Sequence, residues 1–122
     1  MAVSYDLWAE VVERDARYIW EHSEERMHHG VTFRKFFAKL GAFCIVHTID
    51  PKNPDPCGGK QEVDHVKDEP RMGKRAPDDA YHLVAMCQNH NTWHPPRKEL
   101  RWAERKYLKE LRAKDLREAA SA

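Results

Sequence analysis

The sequence predicts an α+β fold in which helices at both ends flank a small β-hairpin with long loops. Three observations carry this. Apolar residues recur at helical spacing near the N-terminus and again beyond residue 97. Between them lie two short runs of strand character, QEVDHV and HLVAM. The same middle stretch holds all three cysteines and several histidines.

A chain of 122 residues suits a single domain with a modest core. Its first part, residues 1–41, reads as a helical N-terminal extension. Leu7, Trp8, Val11, Val12, Ile19 and Trp20 mark a helix over about 5–26, with Ser4 or Asp6 as N-cap and His28, His29 and Gly30 at its end. Thr32 caps a second, short helix with Phe33, Phe36, Phe37 and Leu40 on its apolar face, stopped by Gly41. We read both aromatic stripes as core, with dimerisation or docking of a partner protein as the other use of the first helix.

Residues 42–96 form the central unit. The stretch TIDPKNPDPCGGK holds three prolines and two glycines and is a loop. Strand QEVDHV follows, then the polar loop KDEPRMGKRAPDD, strand HLVAM, and a helical turn or two over 88–94 before Pro95-Pro96. From Arg97 to Ala120 a long helix carries Leu100, Ala103, Tyr107 and Leu111 on one face. No repeat or low-complexity segment interrupts this order.

Net charge is +1 but uneven: residues 1–30 hold three Lys/Arg against seven Asp/Glu, and residues 97–122 hold nine against five. An acidic front and a basic tail fit a C-terminal helix that approaches a polyanion. No apolar run nears the ~18 residues of a membrane span, and the N-terminus has neither the basic start nor the apolar centre of a signal peptide. The expectation is therefore a cytoplasmic protein without membrane contact. An odd number of cysteines suits a reducing compartment.

Cysteine and histidine spacing points to zinc. Cys87-Gln-Asn-His90 has the two-residue spacing that lets both side chains meet one ion from a tight turn. Cys44 and Cys57, separated by a loop of twelve residues, complete a set of four, with His47 as a competing ligand through Cys44-Ile-Val-His47. Three thiolates and an imidazole select Zn2+ over Mg2+, and four protein ligands make a structural site. Such an ion contributes about 10–16 kcal/mol in small zinc peptides, on the scale of the ~5–15 kcal/mol net stability of a domain.

The ordered set of two cysteines, VDHV, HLVAMC and then HN resembles the HNH endonucleases, the ββα-metal nucleases. It also resembles their endonuclease VII-like members, which have an Asp-His strand motif and an Asn after the second zinc knuckle. The likeness covers residues 44–91. Asp64-His65 matches the first strand motif, His82 stands where the middle Asn is usual, His90 replaces the last cysteine, and Asn91 replaces the final His. The first knuckle is stretched, and the glycine-rich stretch usual before the second knuckle of the endonuclease VII-like members is missing.

The resemblance implies a zinc-bound ββα-metal core and hydrolysis of DNA, duplex or branched, leaving 5′-phosphate and 3′-hydroxyl ends. It implies His65 as general base, since a neutral imidazole accepts a proton near neutral pH. Asp64 and Asn91 would hold a catalytic Mg2+ or Mn2+ through hard oxygen donors. Successive strand side chains alternate faces, so a bulge or the metal must re-aim Asp64 or His65. His82 would orient the loop of the base, and His94 is a further phosphate contact to consider. Lys67, Arg71, Lys74 and Arg75 after the first strand, and Arg97, Lys98, Arg101 and Arg105 on the last helix, would hold the backbone. The resemblance and the small size imply a phage or prophage protein acting in host cytoplasm, with a homodimer or a phage protein as partner. The rival reading is a non-catalytic zinc module that binds nucleic acid or a protein.

Overall fold

The computed structural model describes residues 3–22, 32–39, 42–69, 76–94 and 96–121. Helix α1 (Tyr5–Glu21) starts at Ser4, whose hydroxyl accepts the Leu7 N–H at 3.3 Å, so Ser4 rather than Asp6 is the cap. It closes at Glu21, with His22 N–H donating to the Tyr18 and Ile19 carbonyls; the rest of the expected span, 23–26, lies outside the described residues. The predicted terminators His28, His29 and Gly30 lie outside the described residues. Thr32 caps α2 (Phe33–Lys39) as expected, its hydroxyl accepting the Lys35 N–H; Leu40 and Gly41 are likewise outside.

A four-residue turn of helix, α3 (Val46–Ile49), opens what the sequence suggested was loop. Strands β1 (Gln61–His65) and β2 (Leu83–Cys87) then pair antiparallel, Gln61 with Cys87 through His65 with Leu83. A 3-10 turn (Ala80–His82) leads into β2 and a π-helical turn (Asn89–Trp93) leaves it. His82 therefore ends a turn instead of opening a strand. The last helix, α4 (Lys98–Ser121), is the longest element. Among the described residues no helix is long and apolar enough to cross a membrane.

The hairpin is the middle of a sandwich. One face carries Val84 and Met86, which pack with Ile45, Val46, Val66, Leu100 and Leu108 under α3 and α4. The other carries Val63 and Ala85, against Val12 and Ala16 of α1 and Phe36 of α2. Both faces of β2 are covered, so all five of its residues are buried and its sequence is an unbroken apolar run.

The outer edge of β2 would leave backbone groups unpaired inside the protein. Asp15, fully buried on α1, accepts the Ala85 N–H at 2.7 Å, and Ile45 N–H donates to the Ala85 carbonyl at 3.0 Å. Arg14 donates to the Leu83 carbonyl at 2.7 Å and to that of Ala80, while its Nε holds Asp15 at 2.8 Å. Tyr107 of α4 donates its hydroxyl to Asp15 as well. Burial first, then the Asp15 charge, raises the Tyr107 phenol, which keeps it a donor. One carboxylate thus ties α1, β2 and α4 together.

Candidate metal centre and carboxylate cluster

Four chain segments bring Cys44, Cys57, Cys87 and His90 together, with their ligand atoms all within 4.8 Å of one another. Cys44 precedes α3, Cys87 ends β2, and His90 sits in the π-helical turn. Cys57 comes from the loop before β1, which backbone bonds lash to the end of β2. Gln88 N–H donates to the Lys60 carbonyl at 3.0 Å and Asn89 N–H to that of Gly58 at 2.9 Å. Gly59 makes this approach feasible: its φ is +84°, and an added Cβ would lie 2.6 Å from Gln88 Cβ.

The distances suit a tetrahedral ion. His90 Nδ1 lies 3.1 Å from Cys87 Sγ, 3.5 Å from Cys44 Sγ and 3.8 Å from Cys57 Sγ. Zinc bonds of about 2.0–2.3 Å at the tetrahedral angle give edges of about 3.5–3.8 Å. His90 Nε2 donates to the Asp55 carbonyl at 2.7 Å, which leaves Nδ1 with its lone pair toward the sulfurs. Burial lowers the pKa of His90, favouring the neutral, ligating form. Gly58 N–H points at Cys87 Sγ, 3.4 Å away. Cys44 and Cys57 share a hydrogen bond, which is the main cause raising the first thiol and lowering the second. The cluster can hold a metal ion such as zinc. His47 stacks edge-on against His90 with ring centroids 5.2 Å apart, outside the group of four.

The residues matched to catalytic roles divide between the two faces of the hairpin. The β1–β2 register runs one to one with no bulge, so Asp64 and His65 point to opposite faces. Asp64, buried, lies under α4, where Arg101 Nη1 donates to its Oδ2 at 2.6 Å. The same nitrogen donates to Glu104 Oε1 and the His65 carbonyl. Glu104 is fully buried. Burial first, then the adjacent Asp64 carboxylate, pushes its carboxyl well above the usual range. Its Oε2 finds no hydrogen-bond partner among the described residues.

Asn91 belongs to the Asp64 face. Its Nδ2 donates to Glu62 Oε1 at 2.8 Å, and Thr92 donates to the same oxygen at 2.7 Å. Glu62, two residues before Asp64 on one side of β1, thus links strand to turn. On the other face His65 is half-buried with Nε2 2.5 Å from Asp78 Oδ1. His82 is clamped between Asp79 at 2.7 Å and Asp68 at 3.0 Å. Burial opposes its charge, but the two carboxylates prevail and its pKa is raised.

Of the predicted backbone-holding cations, Arg71, Lys74 and Arg75 lie outside the described residues. Arg101 is drawn into the Asp64 cluster, and Arg97 approaches Asp55 at 3.9 Å. Lys98 is exposed at the start of α4, and Arg105 Nε donates to the Lys67 carbonyl at 3.0 Å. The sequence reading missed Glu62, Glu104 and the Asp68, Asp78 and Asp79 partners. A signal existed for two of them. Strand alternation puts Glu62 beside Asp64, and Glu104 falls four residues after Leu100 and four before Leu108, on the apolar stripe. Compared with known proteins, the chain matches no family model, no curated protein and no solved structure.

Proposed function

We propose that the chain is a metal-dependent endonuclease of the HNH kind that hydrolyses DNA phosphodiester bonds. The observation that carries this reading is the composition of the hairpin. An Asp-His pair on β1 and an Asn in the turn after β2 are assembled beside a Cys3His cluster in a single small unit. A scaffold alone needs none of Asp64, His65 or Asn91.

In this reading Cys44, Cys57, Cys87 and His90 hold a structural zinc that fixes the turn bearing Asn91. Asp64 and Asn91 offer hard oxygens to a divalent cation such as Mg2+ or Mn2+, and Glu62 holds the Asn91 amide so that its nitrogen faces the strand. When bound, that cation supplies Lewis-acid stabilisation of the phosphate and of the departing 3′-oxygen. His65 takes the proton of the attacking water on the ring nitrogen opposite Asp78, and Asp78 fixes the tautomer through Nε2–H. The resulting ends are a 5′-phosphate and a 3′-hydroxyl. His82, through Asp68 and Asp79, holds the two arms of the loop that flanks His65.

One observation favours the second reading, a non-catalytic zinc module that binds nucleic acid or a protein. Asp64 is already neutralised by Arg101 and faces away from His65. Cleavage of supercoiled plasmid by wild-type and His65→Ala protein, with Mg2+, Mn2+ or EDTA, decides between them. Metal-dependent nicking or linearisation that the variant lacks is the expected result. A well-folded, zinc-loaded wild type that leaves plasmid, branched and single-stranded DNA intact would overturn the nuclease reading.

A further inference from the structure

Helix α4 segregates its charges. Taking 100° per residue, Lys98, Arg101, Arg105, Lys109 and Arg112 fall within one quarter of its circumference, a sector free of Asp and Glu. The core residues Leu100, Tyr107 and Leu108 occupy the side turned to the hairpin. The upper part of this cationic ridge borders a concavity between α4 and the chain leaving β1. Lys67, Arg105, Lys109 and Arg112 surround it, with Val66 and Leu108 in its wall.

The hollow encloses only about 20 Å³, so a phosphate group would rest at its mouth against the cations rather than inside it. Arg105 is fixed by its bond to the Lys67 carbonyl, and the Arg112 guanidinium lies 4.9 Å from the centroid of the Tyr81 ring. Tyr81 is itself held by its hydroxyl bond to Asp115 at 2.8 Å. Arg105, Lys109 and Arg112 make no ion pair within 4.0 Å among the described residues. The acid at the rim, Asp68, is engaged by His82 at 3.0 Å. Several cations facing one hollow repel each other, and a planar guanidinium stacked on an aromatic ring is preorganised for an anion with paired oxygens.

We infer that this pocket is a phosphate subsite that takes one backbone phosphodiester of the DNA strand, away from the bond to be cleaved. This rests on the nuclease reading for its substrate, while its residues are separate from Asp64, His65 and Asn91. Lys109 lies eight residues along α4 from Arg101, about 12 Å at 1.5 Å per residue. At 3.4 Å per nucleotide along a duplex, that is about three or four nucleotides from the Asp64 face. The ridge would therefore set the strand's path across the site without reading its bases.

The test is binding of a fluorescent 20-base-pair duplex by anisotropy from low to moderate salt, alongside KM and kcat on plasmid. Lys109→Gln/Arg112→Gln should flatten the salt dependence, lowering the slope of log K against log salt by about one, the share of the single phosphate lost. KM should rise while kcat holds. Arg112→Lys, which keeps the charge, should retain the slope. Lys114→Gln, on another side of the same helix, should behave as wild type, and thermal melts establish that each variant is folded. Equal, slight weakening in the pocket double variant and in Lys114→Gln would overturn the subsite and leave the nuclease reading standing. Pocket-dependent binding without cleavage would support the subsite and overturn the nuclease. Neither binding nor cleavage would remove both.

Discussion

Two polar clusters sit on the same hairpin and solve the burial problem in opposite ways. At the Cys87 end, three sulfurs and an imidazole converge with no cationic side chain in the group. At the Asp64 end, two buried carboxyls bring their own counter-charge in Arg101, and one of them favours its proton. The first arrangement gathers donors that one ion can satisfy together. The second is already compensated, so any divalent cation that binds Asp64 has to displace or share it with Arg101. The lesson is that a cluster's demand for metal is read from what neutralises it, not from how many ligands it offers.

The largest expected effect follows at the Cys87 end. Removing zinc with a strong chelator, or replacing Cys87 by Ala, should abolish cooperative folding, a loss on the order of 10 kcal/mol. Circular dichroism with parallel metal analysis checks it. An unchanged spectrum and melt after verified metal loss would end the structural role of the cluster and erase the contrast.

The Asp64 end should respond less and differently. Arg101→Met leaves two buried carboxyls without their cation and should cost about 3 kcal/mol in EDTA. Added Mn2+ should then raise Tm more in the variant than in wild type, because the competing guanidinium is gone. A variant whose Tm ignores Mn2+ would argue that the Asp64 face holds no divalent cation.

Legibility in the sequence follows the same division. The Cys3His set was readable because two of its members are three residues apart and sulfur has few other reasons to gather. The helices were readable from their apolar stripes. Glu104 and Asp15 were not, because a charged residue on such a stripe reads as an interruption, although Asp15 lies four residues after Val11 and four before Ile19. Each is buried with a partner far along the chain: Asp64 for one, Ala85 and Tyr107 for the other. The turn α3 is too short for periodicity to declare itself. Strand β2 lost its alternation because helices cover both its faces, and His82 slipped into the preceding turn through its bonds to Asp79 and Asp68.

Catalysis sharpens the comparison on the opposite face of β1. Asp78→Asn keeps the shape but weakens the hold on His65, so cleavage should fall about tenfold to a hundredfold while DNA affinity and Tm stay near wild type. A variant with the wild-type rate would mean that Asp78 does not position His65.

The smallest effect belongs to His82, a third cluster that, like Asp64, carries its own counter-charges. Its folded pKa is raised, against burial, by Asp79 and Asp68. A histidine with a raised folded pKa binds its proton more tightly when folded, so its stabilising contribution is complete below about 6.5, the ordinary value. That contribution declines as pH rises through the raised value. Stability should therefore fall by on the order of 1 kcal/mol going from pH 6 into the alkaline range, and His82→Gln should flatten the curve there. Asp68, held low chiefly by its bond to His82, works at the other end: its share is present above its ordinary range and lost in acid. Urea unfolding of both proteins across this range reads the difference. Parallel curves would mean that the imidazole is neutral and donates to only one of the two carboxylates, leaving the cluster a geometric brace for the loop beside His65 and no electrostatic one.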